Sequence, residues 1–171
     1  MLTLLAKFLK LLNSETDPGQ ISLAFCFAMV AGFTPLMSLH NLIVLLLILV
    51  MRVNLSAFIL GLGVFTALAF ALDPLFDQIG FAALTARGLE GMWTDLYNST
   101  LWRVEYFNNT IVMGSLLVSI LAFIPAYFIF NLLIVKYRDT FLESMKKWKI
   151  TQTIKASKFW GIYQKVQGWR E

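Results

Sequence analysis

Between Ile21 and Met51 runs a stretch of 31 residues with no Asp, Glu, Lys or Arg, broken at its centre by Thr34-Pro35. A membrane span needs about 20 apolar residues to cross a hydrocarbon core of about 30 Å, so the run is far longer than a soluble core helix requires. A central proline removes an amide donor and clashes with the preceding turn, which argues against one straight rod. The run therefore predicts two short helical halves meeting at a break, and the break is the candidate working part.

The rest of the chain sets the class. Of 171 residues, 58% are hydrophobic and 14% charged, and the apolar residues gather in runs instead of alternating with charge. That balance describes one small integral membrane domain with no room for a separate soluble catalytic unit. Cys26 is the only cysteine, which excludes an intrachain disulfide and a cysteine metal cluster. Lys7 and Lys10 lie inside the first apolar pattern instead of ahead of it, and no small-residue cleavage site follows. The segment is expected to be mature sequence and not a signal peptide.

Residues 1–15 place Leu2, Leu5, Leu9 and Leu12 at helical spacing opposite Thr3, Lys7, Lys10 and Ser14, the pattern of an amphipathic helix lying in a membrane surface. Thr16-Asp17-Pro18 supplies capping residues before a first-turn proline, so a helix is expected to start there and open a broken hairpin over 18–51. Thr34 is expected to cap the second half and Pro35 to fill its first turn. Arg52 and Asn54 interrupt the apolar pattern, and Asn54 is placed to cap the next helix. A span follows at 55–72, containing Gly61 and Gly63 as close-approach positions and ending at Asp73-Pro74. Residues 73–109 keep a stripe of Leu89, Met92, Trp93, Leu96 and Tyr97 opposite Glu90 and Asp95, which reads as an extracytoplasmic, surface-lying helical segment. A second span covers 110–135, with Pro125 as a kink point and Asn131 as a cross-helix donor, and 136–171 is a basic tail.

Charge sets the expected topology. Residues 136–171 hold nine Lys and Arg against three acidic residues, whereas 73–109 hold two against five. The positive-inside tendency then puts both termini in the cytoplasm and the middle segment outside. With Arg52 cytoplasmic too, 18–51 must enter and leave by one side. At 1.5 Å per residue each half is roughly 20–25 Å long, short of the hydrocarbon core. A re-entrant hairpin meets both conditions; two thin crossings joined by a tight outer turn give the same sidedness. The fold class expected is thus an all-α membrane protein with a proline-broken hairpin, two full spans and interfacial amphipathic helices.

Backbone groups freed at a break cannot be left facing lipid, so the tip is expected to be wet or covered. Thr34, Ser38 and Asn41 fall at i, i+4 and i+7 on one helical face, with His40 beside them, and the amides of a helix start favour an anionic group such as a lipid phosphate. The plainer alternative is that these side chains only satisfy the broken backbone. His40 is the only histidine, and no second His, Cys pair or intramembrane carboxylate accompanies it, so a structural role outweighs a metal or catalytic one. Arg52 can snorkel to the interface and hold a headgroup phosphate, or serve as a topology anchor. In the tail, Lys146, Lys147, Lys149, Lys155 and Lys158 mix with Trp148 and Trp160. Tethered behind a span, these fit anionic lipid headgroups better than nucleic acid. No nucleophile, base and orienting acid come together, and no cofactor motif is present.

Gly32-Phe33-Thr34-Pro35, then Arg52-Val53-Asn54 with Ala57 and Gly61, then Asp73-Pro74, together resemble an uncharacterised family of small bacterial inner-membrane proteins, a domain of unknown function also found appended to glycosyltransferases. The resemblance covers about Ile21 to Gly80. This chain has Leu39-His40 where the family often places Gly-Gln, and Asp73-Pro74 where it often has Asn-Pro. The resemblance implies a bacterial inner membrane and an envelope role but no reaction. The broken hairpin also looks like the re-entrant elements of lipid scramblases and undecaprenyl-phosphate carriers, in architecture alone. The expectation is a non-enzymatic accessory subunit that binds or perturbs membrane lipid and acts with a larger envelope protein, such as a lipid-transfer protein or glycosyltransferase. The alternatives are a homo-oligomeric scramblase or transporter, and a structural scaffold.

Overall fold

Asp17 starts the first helix as the sequence leads one to expect: its carboxylate accepts from the Gly19 amide at 2.7 Å, and Pro18 takes the first helical position, where no amide donor is needed. In the computed structural model, which describes residues 16–104 and 106–142 together with Lys165, helix α1 spans Pro18–Phe33, α2 Leu39–Val50 and α3 Leu55–Leu84. A 3-10 turn at Arg87–Leu89 leads into α4, Glu90–Asn98, and α5, Thr100–Val104; α6, Thr110–Lys136, then runs into a π-helical turn over Tyr137–Leu142. No strand occurs among the described residues. The expected interfacial helix at 1–15 and the tail residues Lys146, Lys147, Lys149, Lys155, Lys158, Trp148 and Trp160 lie outside the described residues.

The short first helix is the core. Of its 16 residues, 11 are buried, running almost without gap from Ile21 to Gly32. The long helices α3 and α6 lie against it. Both are long and apolar enough to cross a membrane, yet only 17% and 11% of their most apolar windows are buried. A core helix of a soluble protein is mostly buried, so these two have the surface of helices solvated by lipid.

Contacts along the helices fix their directions. Near its start, α1 touches the start of α3, where the Asn54 amide donates to the Gln20 carbonyl at 3.5 Å. Farther on, Gly61 faces Phe25 and Ala28, and Gly32 faces Phe65 and Thr66. Helix α1 thus runs parallel to α3. It runs antiparallel to α6: Gly19 sits beside Tyr127 and Asn131, and the Phe27 ring meets Phe123 at 5.3 Å. At the other end of the long helices, Phe76 and Gly80 of α3 cross Thr110 and Gly114 of α6 so closely that a Cβ on either glycine would strike the facing backbone.

Several boundaries differ from the expectation. Asp73-Pro74 does not end the 55–72 span; α3 continues as one helix to Leu84 with Pro74 inside it. Proline costs an interior helix about 3 kcal/mol, but a helix packed in apolar surroundings can continue when its neighbours hold the next turn. The crossing at Gly80 and Gly114 does that here, helped by a hydrogen bond from the Thr110 hydroxyl to the Asp77 carboxylate. Gly61 is a close-approach position, whereas Gly63 has nothing near its missing side chain. The 73–109 segment is helical past Arg87 as expected, and it is pinned by Trp93, whose indole donates to the Ala83 carbonyl at 3.0 Å and stacks on Phe107.

Candidate functional site

The break lies at the end of α1 and is longer than the expectation allowed. Residue 34 precedes a proline and is driven to extended backbone, with φ −106° and ψ 161°. Ser38 is extended as well, and α2 begins only at Leu39. Thr34 therefore does not cap the second half-helix, and Pro35 does not fill its first turn. The Thr34 hydroxyl instead donates backwards, to the Val30 carbonyl at 2.8 Å, and closes the end of α1.

Asn41 then spans the break. Its amide donates to the Pro35 carbonyl at 2.9 Å and to the Thr34 hydroxyl at 3.2 Å, and both Asn41 and Thr34 are buried. Thr34 and Asn41 do meet, though not by sharing a helical face, because no helix connects residues 34 and 38. The chain folds back and delivers one to the other. Ser38 and His40 form a second pair, their Oγ and Nε2 2.9 Å apart, and both are half-buried. Pro35, Leu36 and Met37 lie outside these pairs and are exposed.

The tip sits against the middle of α3: the Phe33 ring meets Phe65 at 5.4 Å and Phe76 at 5.2 Å. From there α2 returns, burying the stripe Asn41, Val44 and Ile48. Past Leu39, which is half-buried, its other apolar residues, including Leu42, Leu45, Leu49 and Val50, are exposed.

The hairpin closes at its base. Asn54 caps α3 by accepting from the Ala57 amide at 2.9 Å, and its own amide donates to the Thr16 hydroxyl at 3.3 Å. Arg138, beyond the end of α6, donates to the Thr16 carbonyl at 2.9 Å. Entry to the hairpin, exit from it and the end of α6 thus share one polar cluster. Arg52 stands exposed in the turn that leads into this cluster, so it belongs to the base and not to the tip with Thr34, Ser38, His40 and Asn41.

Thr16 and Arg138 were not distinguishable in the sequence as members of that cluster. Thr16 read as a capping residue and Arg138 as one more tail cation; 122 residues separate them, and only the fold brings them together. Among the described residues no group of three or more His, Cys, Asp or Glu side chains could hold a metal ion.

A family model described as an uncharacterized protein conserved in bacteria (DUF2062) matches residues 3–141. An uncharacterized protein of Treponema pallidum (strain Nichols) is 24% identical over 138 residues, covering 81% of this chain and 85% of that protein. No solved structure matches the chain. The family match includes Thr34, Ser38, His40, Asn41 and Arg52 and stops before Lys146.

Proposed function

The chain belongs to the DUF2062 family of proteins conserved in bacteria, and we propose that it is a non-enzymatic subunit of the inner membrane that perturbs lipid packing at its broken hairpin and acts with a larger envelope protein. The observation that carries this reading is the hairpin itself: its base is closed by Thr16, Asn54 and Arg138 while its tip stops at the middle of α3. A helix of 16 residues and one of 12 are about 24 and 18 Å long, short of a hydrocarbon core of about 30 Å. In this reading the hairpin is re-entrant, and both termini and Arg52 face the cytoplasm.

The physical effect follows from what the tip exposes. Lipid around α2 meets an apolar helix that ends inside the bilayer, next to the exposed, non-helical segment Pro35–Met37 and the Ser38–His40 pair. Backbone groups there are satisfied by water or headgroups drawn inward, and local thinning is the response of a bilayer to a short apolar element. Thr34 and Asn41 are engaged with the broken backbone and Ser38 and His40 pair with each other, so the exposed Arg52 at the base is the cation placed to meet a lipid headgroup. A partner supplies what a chain this small lacks, either a lipid-transfer path or a reaction on a lipid carrier.

Thiol accessibility in intact cells tests the hairpin. After Cys26→Ala, single cysteines at Met37, Ser38 and Arg52 are expected to react with a membrane-impermeant reagent from the cytoplasmic side, and cysteines at Leu45 and Leu46 to resist it. Reaction of Met37→Cys only from the periplasmic side would convert the hairpin into two crossings and end the proposal. Crosslinking in native membranes tests the second half: a tagged chain that recovers neither a larger envelope protein nor enriched phospholipid is not such a subunit.

A further inference from the structure

Beside the central helix, α1, α3 and α6 enclose a groove of about 480 Å³ that shares the Phe65 ring with the packing of the tip and runs from there toward the base of the hairpin. Three phenylalanines shape it: Phe25 meets Phe130 at 5.7 Å and Phe65 meets Phe130 at 6.1 Å. Val64, Leu68 and Leu133 line its rim and are half exposed, so the groove opens sideways from the bundle. Apart from Tyr137 at one end, every lining residue is apolar.

Apolar walls facing a void lose dispersion contacts that a close-packed interior would supply, so a stable groove is one that something fills. Its volume lies in the range of about 300–1,000 Å³ typical of small-molecule sites. A second copy of the chain would have to seat a rigid helix about 10–12 Å across, whereas a flexible hydrocarbon chain can follow a narrow groove between three helices.

Charge decides the rest. The groove runs from Leu68 toward Gly61 on α3 and from Phe130 toward Tyr137 on α6, so its polar end faces the base of the hairpin. Lys136, which is exposed, and Arg138 flank Tyr137 there, and Arg52 is exposed at the same end. Asp17 and Asp139 lie at the same end and are exposed, so three cations stand there against two carboxylates. An apolar slot ending in a tyrosine among cations matches an amphipathic anion whose head lies at the membrane surface.

We infer that this groove holds one acyl chain of an anionic glycerophospholipid, with its headgroup at Lys136. The inference rests on the lipid-engaging reading above but names a bound lipid at a site separate from the broken tip. Full-length protein in phosphatidylcholine nanodiscs, doped with phosphatidylglycerol carrying a diazirine on its acyl chain, tests it by mass mapping of the adducts. Adducts are expected on Val64–Leu68 and Phe130–Leu133 in excess of those on Leu121 and Ile124, which are exposed elsewhere on α6. Val64→Trp fills the groove and should cut its labelling by about fivefold or more; Leu133→Trp makes the same test from the opposite wall if the first variant fails to fold. Lys136→Gln should abolish the excess over a phosphatidylcholine probe bearing the same chain. Groove labelling no greater than at Leu121 and Ile124, labelling indifferent to both tryptophans, or equal labelling by the two lipids overturns the inference. Thiol reactivity at Met37→Cys separates the two readings. If it stays cytoplasmic while groove labelling fails, only the bound lipid is lost; if it moves to the other side while labelling persists, only the re-entrant hairpin is.

Discussion

Gly80 and Gly114 occupy positions where no side chain fits. A Cβ on Gly80 would fall on the Thr110 carbonyl and one on Gly114 on the Phe76 carbonyl, and in both cases the obstacle is backbone that cannot rotate away. Gly80→Ala is therefore expected to destabilise the protein by about 1–3 kcal/mol, as overpacking does. Gly63→Ala, with open space around it, should be neutral or stabilising by up to about 1 kcal/mol through helix propensity. Thermal unfolding in one detergent checks the contrast, and equal effects would mean that the crossing is not as close as described. At the break, Asn41→Ala strips the Pro35 carbonyl and the Thr34 hydroxyl of their donor and should cost about 1–3 kcal/mol. Ser38→Ala, at a half-exposed position, should stay within about 0.5 kcal/mol. The same measurement compares them. Helical spacing picked out Thr34 and Asn41 in the sequence for a reason that does not hold. It assumed a helix through residue 38, and the pair is real only because the chain turns. Gly80 and Gly114 carry no local signal of their partnership, since 34 positions separate them and their meeting depends on where α6 returns.

Element boundaries were legible where the cause is local. Asp17-Pro18 and Asn54 each supply their own cap within three residues, and a reading of neighbours suffices. Pro74 misleads for the opposite reason: its local cost is real, but packing 36 and 40 residues away in the chain offsets it, and no window around Pro74 contains that information. Asn54 also shows an element end serving two purposes, because Oδ1 caps α3 while Nδ2 ties the hairpin entry to its exit. The two can be separated by chemistry. Asn54→Asp keeps an oxygen for the Ala57 amide and removes the donor to Thr16, whereas Asn54→Ala removes both. The alanine variant is expected to lose about 1 kcal/mol or more, a typical cap loss. The aspartate should keep much of that stability yet raise the susceptibility of the 50–54 turn to proteolysis. Limited proteolysis alongside thermal unfolding checks this, and an aspartate variant as protected as the native chain would mean that the tie to Thr16 does not hold the base.

At the scale of the molecule, a short buried helix is lined by two long ones whose own surfaces face outward, and this inversion accounts for the unusual burial of the chain. It also makes sidedness a single choice. Because α1 and α3 start at the same end and α6 finishes there, the base of the hairpin, Arg52 and the π-helical turn at Tyr137–Leu142 share one end of the molecule and the segment from Arg87 to Asn98 follows the other, so on the proposed topology they take opposite faces. On the proposed topology the charge bias predicts which face is which, since Arg52, Lys136 and Arg138 outnumber Asp17 and Asp139 at the first end while Asp73, Asp77, Glu90 and Asp95 outnumber Arg87 and Arg103 at the other. Reporter fusions at Arg52, at Gly88 and after residue 142 are expected to give cytoplasmic, periplasmic and cytoplasmic activity, respectively. If the fusions at Arg52 and after residue 142 reported opposite compartments, α3 and α6 could not both cross in the antiparallel arrangement that the Gly80–Gly114 contact requires. If all three reported the same compartment, neither long helix would cross at all. The pattern of agreement among the three sites thus tests the helix arrangement, and the identity of the odd one tests the charge rule.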